Sequence, residues 1–146
     1  MTAGQFLNVD LEIESKVDLA PLAAELEPDA TVLYCGPVPD GYLLTIETDS
    51  WSRASVGPDE RVRDLCQIIE ELSPAERQWW QSAYRREFDV GYDATTEHVA
   101  AHFALRADTL ERITRLGARL AVTIYRAESA SRDGKASGGG PSSSPS

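Results

Sequence analysis

The sequence predicts an α+β domain, a mixed and mainly antiparallel sheet of about five strands with helices packed on one face. Three observations carry that expectation. Several short segments alternate apolar and polar residues, the period of a strand with one wet face. Two stretches opening at Pro58 and Ser73 carry apolar residues at helical spacing. The two kinds of segment are interleaved, so hairpin and crossover connections both have to occur.

The first strand is FLNVDLEIE, where Leu7, Val9, Leu11 and Ile13 fall on one side and Asn8, Asp10, Glu12 and Glu14 on the other. A short helix is predicted from about Pro21 to Leu26, because proline within a longer helix would remove a hydrogen bond and clash. TVLYCG and GYLLTIET then read as a hairpin around the turn-forming stretch Pro37 to Gly41, with Trp51 just beyond it and a loop from Ser52 to Gly57. Pro58 suits the first position of a helix, Asp59 and Glu60 complement its positive end, and Val62, Leu65, Cys66, Ile69 and Leu72 form its apolar stripe. Ser73 and Glu76 have the spacing of a capping box for the next helix, which should run to about Arg86. In it Trp80, Ala83 and Tyr84 should face inward, with Trp79 on a flank. EFDVGYD alternates again, and a last helix from Leu105 to Gly117 should bury Leu110, Ile113 and Leu116 before LAVTIYR closes the sheet. The order of strands within the sheet does not follow from this pattern.

Residues 1–126 are expected to form a single domain. Residues 127–146, rich in Ser, Gly and Pro and nearly free of apolar residues, are expected to be a disordered tail that cannot repay the entropy of ordering. The composition, 42% hydrophobic and 26% charged, is that of a globular chain. Neither a membrane-length apolar run nor an export signal is visible, so the expected setting is cytoplasmic. Cys35 and Cys66 sit among apolar residues and read as buried, reduced thiols.

Charge is unevenly spread over this chain of net charge −10. Residues 1–50 hold ten acids against Lys16 alone, whereas residues 51–126 nearly balance twelve acids with eleven arginines. Such a first half repels phosphate backbones and attracts basic proteins, so a basic protein partner is expected rather than nucleic acid or membrane. Asp10, Glu12 and Glu14 share one side of the first strand, and Glu47, Asp49, Asp89 and Asp93 could extend that acidic face across neighbouring strands. These seven residues are the candidate partner-binding set.

Evidence for catalysis in the sequence is thin. Nucleophile elbow, phosphate-cradling glycine loop and dinucleotide fingerprint are all missing, and the order Glu97, His98, His102 is not that of a zinc-protease helix. A carboxylate pair such as Glu12 with Glu47 or Asp89 could be drawn, but acids on alternating wet faces lack the desolvation that general acid catalysis uses. His98 and His102, four residues apart, could share a helix face and hold a metal or small molecule with Asp93 or Glu97. That is the alternative functional reading. No cofactor, metal site or catalytic residue is otherwise expected.

FLNVDLEIES, FDVGYDA and DTLERITRLGARLAVTIYR together resemble a family of small uncharacterised bacterial α+β domains, some of which lie beside polymorphic toxins and are inferred to be immunity proteins. The resemblance spans about residues 6–126 and rests on alternating strands and a helix closed by Leu-Gly-Ala. It implies a non-catalytic, protein-binding module, and an immunity-type inhibitor in particular; it implies no catalytic or binding residues.

Overall fold

The computed structural model describes residues 5–48, 57–94 and 102–126. Asp49, Trp51, the 52–56 loop, Glu97, His98 and residues 127–146 lie outside them. Among the described residues the elements run β1 (Gln5–Ser15), α1 (Ala20–Leu26), β2 (Thr31–Val38), β3 (Gly41–Glu47), α2 (Pro58–Glu70), α3 (Pro74–Ser82), β4 (Arg85–Ala94), α4 (Ala107–Arg115) and β5 (Arg119–Arg126). The strands form one sheet in the order β2-β3-β1-β4-β5. All neighbours are antiparallel except β4 and β5, which run parallel and are joined through α4. This is the mixed, mainly antiparallel sheet that the interleaving predicts.

Strand alternation sorts the two faces. Val9, Leu11 and Ile13 of β1, Leu44 and Ile46 of β3, and Phe88 and Val90 of β4 are all within 2% of complete burial. Against them pack Leu22 and Leu26 of α1, Val62, Leu65, Cys66 and Ile69 of α2, Trp80 of α3 and Ile113 of α4. The helices therefore cover one face of the sheet. The β2–β3 hairpin needs glycine at Gly41, because a Cβ there would run into the carbonyl oxygen of Ser15. Gly117, at φ 73°, supplies the left-handed residue that ends α4.

Hydrogen bonds fix the helices to one another. Ser73 and Glu76 form the capping box of α3. Asp59, in the first turn of α2, accepts from the backbone N–H of Arg106 at 2.8 Å, and so closes the entry to α4. Arg112 of α4 grips Glu70 of α2 through two hydrogen bonds of 2.7 and 3.1 Å. At the far ends, the Trp80 indole donates to the Leu116 carbonyl at 2.9 Å. The Arg86 guanidinium donates to the carbonyls of Trp80, Gln81 and Ala83 and, at 3.0 Å, to that of Gly117. A single cation thus serves the negative ends of both α3 and α4.

Five sequence expectations are corrected. Leu7 does not continue the apolar side of β1: a bulge between Phe6 and Asn8 leaves it 43% exposed, and Phe6 packs on the core instead. Cys35 is exposed on β2, an edge strand of the sheet. Helix α3 stops at Ser82, with Ala83 already extended, so Tyr84 turns outward and is 45% exposed. Helix α4 begins at Ala107 rather than Leu105. It buries Thr109 and Ile113, and Leu116 packs against the core, while Leu110 turns outward and is 43% exposed. Thr109 takes the inward place because its hydroxyl meets Arg63 at 3.2 Å. Both thiols are free and both are raised above their ordinary pKa, chiefly by burial, Cys66 to about 11, which leaves them poor nucleophiles.

Burial separates two leucine-sized side chains that sequence periodicity treats alike. Ile69→Ala should cost about 2–5 kcal/mol through lost transfer energy and a cavity, and Leu110→Ala less than about 1 kcal/mol. Denaturant unfolding of the two variants checks this, and equal losses would contradict the orientation of α4.

Candidate functional site

The second face of the sheet collects the polar side of every strand. Register sets which side chains meet. Across β1 and β4, Asp10 lies opposite Asp89, Glu12 opposite Glu87 and Glu14 opposite Arg85. Across β1 and β3, Glu12 lies opposite Thr45, which places Glu47 at the level of Asp10. Asp93 follows Asp89 and Gly91 along the same side of β4, and Thr123 of β5 lies opposite Gly91. Asp10, Glu12, Glu14, Glu47, Asp89 and Asp93 therefore share the face that helices leave open; Asp49 lies outside the described residues.

This face is not uniformly acidic. One half is neutralised by Arg85, whose guanidinium lies 2.9 Å from Glu12, 2.6 Å from Glu14 and 3.4 Å from Glu87. Arg119 of β5 adds a 2.7 Å bridge to Glu87. Hydrogen bonding from Arg85 holds the Glu14 carboxyl below its ordinary value of 4.5. Sequence reading overlooked Arg85 although the alternation of β4 runs back through Glu87 to it, which was the available signal.

The other half carries carboxylates without cations. Asn8 donates to Asp10 at 3.3 Å and to Glu47 at 2.7 Å, and the Thr123 hydroxyl lies 2.8 and 2.9 Å from the two oxygens of Asp89. Among the described residues no Arg or Lys pairs with Asp10, Glu47 or Asp89. Burial first, and then the charges of Glu47, Asp89 and Glu12, lift the Asp10 carboxyl from 3.8 to about 6. The acids on this face are thus not all freely solvated, as alternation alone suggests. The pair drawn from sequence, Glu12 with Glu47 or Asp89, is not the one the sheet assembles, because Glu12 is bound by Arg85 and Asp10 stands between the other two.

His102 is exposed in the segment leading to α4, Asp93 lies near the end of β4, and His98 and Glu97 lie outside the described residues. Among the described residues no three His, Cys, Asp or Glu side chains converge as a metal site, and no helix is long and apolar enough to cross a membrane. Comparison with known proteins adds no relative: no family model, curated protein or solved structure matches the chain.

The two halves of the face should respond to substitution with opposite signs. Arg85→Gln strands Glu12 and Glu14, while Glu87 keeps Arg119, and should cost about 1–3 kcal/mol. Asp10→Asn keeps an acceptor for Asn8 and removes a charge that folding has raised in pKa, so it should stabilise the protein at neutral pH by about 1 kcal/mol, solvent screening at a half-buried site absorbing the rest. Ionised Asp10 costs stability above its folded value of about 6, and that cost is relieved as pH falls through 6 toward 3.8. Stabilisation by Glu14, whose folded value is depressed, is lost only at pH below its unfolded 4.5. Between about pH 7 and 5 the wild type should therefore gain stability relative to Asp10→Asn, as read from urea midpoints, and parallel curves would refute the coupling.

Proposed function

We propose that this chain is a non-catalytic protein-binding module whose open sheet face covers a basic surface on a protein partner, in the manner of an immunity-type inhibitor. The observation that carries the reading is the trio Asp10, Glu47 and Asp89, held side by side in the middle of the face with the neutral donors Asn8 and Thr123 as their hydrogen-bond partners. Like charges across neighbouring strands destabilise a sheet. An arginine or lysine of a partner would relieve that repulsion, so part of the binding energy is stored in the free protein. Arg85 limits the footprint, since Glu12 and Glu14 already hold a cation and contribute less attraction. Asp93 would extend it along β4. The acid surplus of the first fifty residues and the resemblance of FLNVDLEIES and its companion segments to immunity-like domains support the same reading. Electrostatic steering of this kind acts mainly on association rates.

A partner isolated by affinity capture would be tested by its association kinetics with wild type and with the triple variant Asp10→Asn, Glu47→Gln, Asp89→Asn. Association should slow by about tenfold or more and lose most of its salt dependence, while the melting temperature holds or rises. Binding indifferent to both the substitutions and salt would remove the reading.

A further inference from the structure

On the helix side, far from the trio in chain topology, α1 and α3 leave a groove of about 530 Å³ lined by Val17, Asp18, Pro21, Ala75, Gln78, Trp79 and Ser82. Its floor is apolar. Val17 is 51% exposed and Trp79 is partly buried, so a valine and an indole flank face solvent without covering each other. The spacing Ala75, Gln78, Trp79, Ser82 is one face of α3, and Pro21 gives the wall from α1.

The rim is acidic. Asp18 is a lining residue whose carboxylate accepts from the Ala20 N–H at 2.9 Å. Glu25, one turn beyond Pro21 on α1, and Glu76, next to Ala75 on α3, flank the lining residues, and the neighbouring Glu76 carboxyl holds Glu25 above its ordinary value. Among the described residues no Arg or Lys forms an ion pair with Asp18, Glu25 or Glu76. Lys16, the one lysine among the described residues, is occupied elsewhere, its ammonium 5.3 Å from the Tyr84 ring centre and 3.4 Å from the Asp40 carbonyl.

We infer that the α1–α3 groove is a second docking site, which takes an arginine or lysine flanked by apolar residues from a partner polypeptide. Charge complementarity selects the occupant. An aliphatic stem would lie on Val17, Pro21 and Ala75, a cation is favoured beside an indole face, and the head group would come between Asp18 and the Glu25–Glu76 pair. A neutral apolar residue leaves the carboxyls unrelieved, and an acidic one adds to the repulsion. The inference does not rest on the sheet-face reading, because its residues are all different.

The probe is the acetylated, amidated pentapeptide Leu-Arg-Leu-Arg-Leu, titrated into the full chain with NMR detection, beside versions carrying Gln or Glu in place of Arg. The arginine peptide should shift the Trp79 indole and Val17 methyl signals, with affinity at least about tenfold above the glutamine peptide, and should lower the pH at which Glu25 titrates. The double variant Glu25→Gln, Glu76→Gln retains the capping geometry, since glutamine serves a capping box as glutamate does. It should weaken the arginine peptide about three- to tenfold and leave the glutamine peptide unchanged. Ala75→Trp, at an exposed position, should fill the groove and abolish binding without disturbing the core. Equal binding of the arginine and glutamine peptides, no shift at Trp79 or Val17 up to about 10 mM, or unchanged binding by Ala75→Trp would each overturn the proposal. So would an equal loss in the sheet-face triple variant, which would mean that the peptide senses net charge rather than the groove.

Discussion

Everything on the open face follows from β1 standing at the centre of the sheet. Val9, Leu11 and Ile13 are fully or almost fully buried beneath the helices, and a strand whose inward side is that apolar belongs in the middle. Period two then carries Asn8, Asp10, Glu12 and Glu14 to the middle of the opposite face, where strands about 5 Å away on each side bring further acids next to them. The chain resolves this crowding in two ways. At one end a guanidinium is placed among the carboxylates; at the other, amide and hydroxyl donors and a displaced proton equilibrium at Asp10 take its place. Burial on the helix side supplies the stability that makes the second, weaker solution tolerable.

Arg85 and Arg86 show the same geometry from β4. They are adjacent in sequence and point to opposite faces, so one neutralises acids on the open side while the other gathers the carbonyls at the ends of α3 and α4. Arg86 also lies over the Trp80 ring, its guanidinium carbon 5.7 Å from the centre, and that indole is tied to the Leu116 carbonyl. The two helices, the start of β4 and the turn into β5 are joined through this one cluster. A frame braced in this way holds both the acidic trio and the α1–α3 groove on elements that share a single core.

Local chemistry was legible in the sequence wherever the cause is local. The alternation of β1 and β4, the capping box at Ser73 and Glu76, the proline starts of α2 and α3 and the glycine stop of α4 all depend on neighbours within a few residues. What escaped depends on partners far along the chain. The bulge at Leu7 reflects pairing with β4, the outward turn of Tyr84 reflects a backbone bond from its N–H to the Glu14 carbonyl, and the exposure of Cys35 reflects the edge position of β2. For the same reason the acids of the candidate face could be assembled from alternation, whereas the division of that face by Arg85 required the register of β1 against β4.

The far edge of the sheet has a different consequence. Among the described residues strand β5 has a neighbour on one side, and its Leu120, Val122 and Ile124 are 39%, 50% and 58% exposed. A β-branched, apolar strand with an unpaired backbone is a template on which unfolded chains can add. It is bounded at both ends by arginines, Arg119 and Arg126, and stacked copies in register would bring those charges directly above one another. Like charges at Arg119 and Arg126 thus oppose in-register stacking of β5 on other copies whenever the strand is not yet seated beside β4.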